Sequence, residues 1–129
     1  MNRKQIRQVM QLYGKAWEQQ DPEILIQCFV PRGSYQESPL RKPINGHNAM
    51  KKFWRRTVVM NTKNIKFSLG NYWVSKNGKT GFAEWKCEND HYKRSEKKWR
   101  HDLMYGIMVL KMKGKKITYL NEYWNTRST

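Results

Sequence analysis
A change of hydrophobic period part-way along the chain restricts its fold more than any other feature. Up to about residue 60, apolar side chains recur at three- and four-residue spacing, the mark of helices with one buried face. After Asn61 the spacing falls to two, the mark of strands. Ile6, Val9, Met10, Tyr13, Ala16 and Trp17 form one apolar stripe and predict a first helix over about residues 3–19. Asp21-Pro22 starts a second, short helix: Asp caps, Pro fits the first turn, and Glu23 favours the positive helix end. Ile24, Leu25, Cys28 and Phe29 belong to that helix, and Pro31-Arg32-Gly33 ends it. Residues 34–37 read as a brief strand, and 38–45, with Pro39 and Pro43, as a loop. A third helix runs from Gly46 to about residue 59, with Met50, Phe53, Trp54, Thr57 and Val58 on one side and Lys51-Lys52 and Arg55-Arg56 on the other.

Beyond Asn61, Ile65, Phe67 and Leu69 alternate with Lys66, Ser68 and Gly70. Lys76-Asn77-Gly78-Lys79 signals a hairpin, because both central residues tolerate positive φ. Residues 80–88 form the returning strand and 89–98 a polar loop. A long strand over 99–112, a turn at Lys113-Gly114-Lys115 and a last strand over 117–125 complete the chain. Helices first and antiparallel strands afterwards define an α+β class, with a cone-shaped, curved antiparallel sheet wrapped around three N-terminal helices. A length of 129 residues predicts a single domain, 1–129. A sheet curled over helices leaves a cone with an open mouth, where ligands sit.

Six Trp, seven Tyr and four Phe are many rings for this length, and point to a cavity or an interface, or else to a coarse core. The net charge of +16 favours acidic partners, yet basic residues occur in every segment. A nucleic-acid partner therefore ranks below a small-molecule ligand. No apolar stretch is of signal-peptide type or long enough to span a membrane, so a cytoplasmic protein is expected, with no membrane partner. Cys28 and Cys87 sit in apolar-periodic segments and read as buried, inert thiols. No His, Cys and acid cluster has metal spacing, and no metal or other cofactor is expected.

Smaller marks stand in a set order: the Tyr13–Trp17 helix, Asp21-Pro22, Tyr35-x-Glu37-x-Pro39, Gly46-His47 with Phe53-Trp54, and Lys116-Ile117 followed by Glu122-Tyr123-Trp124. Through them the chain resembles the nuclear transport factor 2-like superfamily, also called SnoaL-like, across nearly its whole length. The resemblance implies a cone-shaped, cystatin-like α+β barrel, usually a homodimer packed through the outer sheet face. Its pocket would lie between the sheet and the first and third helices. It does not imply one activity, since the fold hosts isomerases, cyclases, dehydratases, epoxide hydrolases and non-enzymatic binders. In the ketosteroid isomerase branch, Glu37 resembles the general base, Tyr13 the oxyanion donor and Trp54 the flanking aromatic. That branch also needs an acid on the penultimate strand, and residues 103–110 hold none, which argues against steroid isomerisation. In the epoxide hydrolase branch, Lys86-Cys87-Glu88 with Glu122 is loosely similar, but Lys for Arg loses bidentate geometry. In the cyclase branch, His101 and Glu122 resemble the acid and base pair.

Glu37 and Glu122 are the candidate catalytic residues. Leu120, Glu122 and Trp124 form the more apolar alternate set of the last strand, so Glu122 is expected to face in. For Glu84 and Trp85 either facing remains open. Met104, Met108 and Met112 share one face of a strand and read as core or as a flexible cavity wall. The expected pocket joins Tyr13, Trp17, Tyr35, Trp54, Met108 and Trp124 to Glu37 and Glu122. It fits a small, largely apolar molecule, held by a binder or by a cofactor-free enzyme of isomerase, cyclase or hydrolase type. In that enzyme Glu37 or Glu122 would move a proton and Tyr13 would orient the substrate. The alternative is a non-enzymatic module binding acidic protein or nucleic acid through its basic surface.

Overall fold
The computed structural model describes residues 1–129. Helix α1, Arg3–Gln19, starts with a capping box: Asn2 accepts from the Gln5 amide at 2.9 Å, and Gln5 accepts from the Asn2 amide at 2.9 Å. The apolar stripe from Ile6 to Trp17 is buried. Helix α2, Pro22–Gln27, is capped by Asp21, whose Oδ1 accepts from the Glu23 amide at 2.8 Å. The second helix is shorter than the sequence predicts. Cys28 and Phe29 leave it, and strand β1, Phe29–Gln36, runs through Pro31-Arg32-Gly33. Its register slips between Phe29 and Ser34, and such a bulge is where a strand tolerates proline.

A two-residue strand β2, Ile44–Asn45, pairs with β1 inside the expected loop. Helix α3, His47–Trp54, widens into a π-helical turn over Arg55–Val59. Four long strands follow: β3, Thr62–Val74; β4, Gly81–Lys93; β5, Lys98–Lys113; and β6, Lys116–Ser128. The sheet order is β2-β1-β6-β5-β4-β3. The sheet is mixed rather than wholly antiparallel, because β1 pairs with β6 in parallel. Two other expectations fail locally. The 89–98 loop is strand except for a tight turn at 94–97, and the β3–β4 hairpin carries positive φ at Gly78 but not at Asn77.

Breaks of register in β3, between Lys63 and Lys66 and between Leu69 and Tyr72, bend the sheet. The unclosed sheet curves over the helices. α1 lies on β3 closely enough that a Cβ on Gly14 would stand 2.7 Å from the Phe67 ring. The inner sheet face carries Phe67, Ala83, Trp85, Cys87, Met108, Leu110 and Leu120, which settles the β4 ambiguity: Trp85 is buried and Glu84 is exposed. No helix is long and apolar enough to cross a membrane.

Gly106 lies opposite Trp85, and its missing side chain makes room for the indole. A Cβ there would come within 2.6 Å of the ring and 2.7 Å of the Tyr123 carbonyl oxygen. Gly106→Ala is therefore expected to destabilise the fold by roughly 1–3 kcal/mol, the usual range for overpacking. Urea unfolding followed by circular dichroism measures it, and a midpoint equal to wild type would refute the assigned packing.

Candidate functional site
Three buried polar side chains meet where α1, β1 and β6 converge. Tyr13 donates to Glu122 Oε1 at 2.5 Å, and the Tyr13 and Tyr35 hydroxyls lie 2.7 Å apart. Since the Tyr13 proton goes to Glu122, Tyr35 donates to Tyr13. Glu122 is 3% exposed, sits opposite Met108 on the inner sheet face and makes no hydrogen bond through Oε2. Rings enclose the group: Trp54 packs against Trp17 at 4.9 Å and against Tyr13 at 6.0 Å, and Tyr35 stacks on Phe29 at 5.6 Å.

The group borders a cavity of about 330 Å³. Its buried lining includes Trp17, Tyr35, Phe53, Trp54 and Glu122, and its more open part includes Glu37, Arg41, His91 and Trp124. Glu37 follows the end of β1 and pairs with Arg41 at 2.9 Å. The Trp124 indole donates to the Glu37 carbonyl at 2.7 Å and ties this loop to β6. The indole nitrogens of Trp17 and Trp54 are buried without a partner.

Two expected pocket residues sit elsewhere. Met108 is wholly buried in the core, behind the lining, and Met104 reaches the cavity instead. The sheet curves, so residues on one strand face lie at different depths. Tyr13 is also wholly buried and stands behind Glu122 and Tyr35. It orients the carboxyl group and does not touch the cavity.

No protein-family model matches the sequence, and no curated protein does. Solved structures do match in shape. SalBIII, an epoxide hydrolase/cyclase-like enzyme in pyran ring formation in the polyether salinomycin, superposes with a TM-score of 0.75 at 12% identity, over 92% of this chain and 89% of its own. An LEH-like epoxide hydrolase from M. tuberculosis gives 0.70 at 12% identity, over 92% and 80%. A ketosteroid isomerase-like protein from Erwinia carotovora atroseptica gives 0.69 at 12% identity, over 91% of each chain. This chain has the nuclear transport factor 2-like fold. Identities this low carry the fold and leave the activity open.

Within this nuclear transport factor 2-like frame, the residue sets of two branches come apart. Lys86 and Glu88 pair with each other at 3.5 Å on the outer sheet face, away from Glu122. His101 is also outside, with Nδ1 3.0 Å from Asp90 and Nε2 3.6 Å from Glu88. The inner positions belong to its neighbours: Asn89, His91 and Asp102 line the cavity. Sequence reading missed Asn89 and His91 because 89–98 is largely polar and reads as loop. Continuing the Met112, Met108, Met104 alternation by two residues would have placed Asp102 on the inner face. Asp102 is 6% exposed and accepts from the Ser128 hydroxyl at 2.5 Å.

The two glutamates feel different surroundings. Burial pushes Glu122 up to about 8, the Tyr13 hydrogen bond opposes the rise, and the nearby Glu37 charge adds to it. Burial also raises Glu37 above the ordinary range, while Arg41 holds it down. Burial lifts both tyrosines well above their usual value, so they stay neutral donors. Cys28 and Cys87 are both buried, and each is pushed up to about 12 by desolvation, so neither is a nucleophile at neutral pH.

These shifts predict how stability follows pH. The folded state holds the Glu122 proton up to about pH 8, whereas the unfolded chain loses it near 4.5. Between those values the folded state binds more protons, so stability falls as pH rises, by up to about 1.4 kcal/mol per pH unit. The contribution is undiminished below the lower value and fully lost above the upper one. Glu122→Gln is expected to flatten this slope in thermal melts taken across the window, and an unchanged slope would exclude a buried neutral Glu122. Tyr13→Phe removes a bond that favours the charged form. It is expected to raise the Glu122 midpoint further, as read by carboxyl-carbon NMR.

Proposed function
We propose that this protein binds one small, largely apolar molecule in the aromatic cavity and moves a proton on it without a cofactor. The supporting observation is that one cavity presents two carboxyl groups, both raised by burial, of which Glu37 has a guanidinium beside it and Glu122 has a tyrosine hydroxyl. Glu37, paired with Arg41 at 2.9 Å, serves as base. Glu122, held by Tyr13, remains neutral near pH 7 and serves as acid or as donor to a developing oxyanion. A cavity of about 330 Å³ suits a compact ligand. Trp17, Tyr35, Phe53 and Trp54 supply flat apolar contact, and Glu37, Arg41 and Asn89 supply polar contact. This division of labour is compatible with isomerase, cyclase and hydrolase chemistry. The isomerase, cyclase and epoxide hydrolase names carried by the structural relatives lend it weight.

We also propose a homodimer packed through the outer sheet face. Trp73, Tyr105 and Tyr123 stand exposed there at 48%, 56% and 45%, more aromatic surface than a solvated sheet face ordinarily carries.

Native mass spectrometry of freshly purified protein is expected to show a dimer with a small co-purified mass that Trp54→Ala loses. Incubating the protein in D₂O with small aromatic ketones tests the proton step. Exchange at the carbon beside the carbonyl is expected to fall on the order of 100-fold in Glu37→Gln and in Glu122→Gln. Exchange unchanged in both would leave a binder without catalysis, and absence of any bound small molecule would remove the pocket reading.

A further inference from the structure
The β4–β5 hairpin outruns β3. β3 ends its pairing with β4 at Thr62 opposite His91. Residues 92–100 therefore project past β3 as a two-stranded ribbon. Such a ribbon is marginal in water by itself, and apolar groups on it gain little burial. Yet it carries Tyr92 and Trp99 directly opposite each other, with ring centroids 5.5 Å apart and Trp99 41% exposed.

The remainder of the arm is cationic. Lys93, Arg94, Lys97, Lys98 and Arg100 stand against Glu96 alone, which Arg100 pairs at 2.7 Å. Lys63 of β3 adds an ammonium over the Trp99 ring, 4.1 Å from its centroid. The acids below the rings are already engaged: Asp90 by His101 and Asn64, and Glu88 by Lys86 and His101. At the tip Lys97 holds φ +53, a conformation in which glycine or asparagine is the unstrained choice. A cation therefore stands at the tip where glycine or asparagine would be less strained.

We propose that this arm is a binding site for single-stranded nucleic acid, with Trp99 and Tyr92 stacking on bases and the surrounding lysines and arginines contacting phosphates. Every base offers a π-face, and a backbone of phosphates matches the charge. An acidic protein segment would match the charge but would give the exposed ring pair nothing to stack on. The site is separate from the cavity and does not depend on its chemistry.

Fluorescence anisotropy with a labelled oligothymidylate of roughly 12 nucleotides tests the assignment. Wild-type protein is expected to bind at low salt and to weaken steeply as salt rises. Trp99→Ala is expected to bind about 10-fold more weakly with the salt dependence retained, and Trp99→Phe to restore much of the loss. Lys97→Gly is expected to bind more weakly with a shallower salt slope, by about 0.7, while its thermal midpoint holds or rises. No binding at low salt, or equal binding by wild type and Trp99→Ala, would overturn the proposal. So would a poly-glutamate peptide that binds as well as the oligonucleotide and loses as much in Trp99→Ala.

Discussion
The bond from Tyr13 to Glu122 joins side chains 109 residues apart, on the first helix and the last strand. A carboxyl group without that partner would face a large desolvation penalty among Trp54, Phe29 and Tyr35. With it, the group is held in one orientation, while burial pushes its pKa up to about 8 against that bond. The hydroxyl of Tyr35 extends the chain to β1. One polar thread thus links α1, β1 and β6.

Around this thread the rings are too large to fill the space completely. Trp17, Tyr35, Phe53 and Trp54 meet edge to face or tilted, which leaves room for a cavity between helix and sheet. The indole nitrogens of Trp17 and Trp54 remain without partners. The curvature that opens the cavity comes from the sheet itself, through the register breaks in β3.

The excess of positive charge has a more particular distribution in space than along the chain. Many basic side chains cover exposed helix faces, as Lys52 and Arg55 do, and keep the protein solvated. The β4–β5 arm differs because its cations surround exposed rings on a ribbon that runs past β3. Charge and stacking surface coincide there.

Local signals in the sequence determined much of the architecture. The first helix follows its apolar stripe from residue 3 to 19, and Asp21 caps the second. The period-two segments became strands, because side-chain spacing along a helix or strand is a property of the backbone itself. Facing was legible where apolar residues alternate, as with Leu120 and Glu122, and illegible where they do not. His101 and Asp102 were one residue apart and had opposite fates, since a shift of one reverses the side of a strand. Tertiary structure alone decided that β1 would run through Pro31 to pair in parallel with β6, that Met108 would lie behind the cavity, and that Glu122 would meet Tyr13. Those outcomes depend on contacts between residues far apart in the chain, and no local spacing encodes how far a curved sheet brings them together.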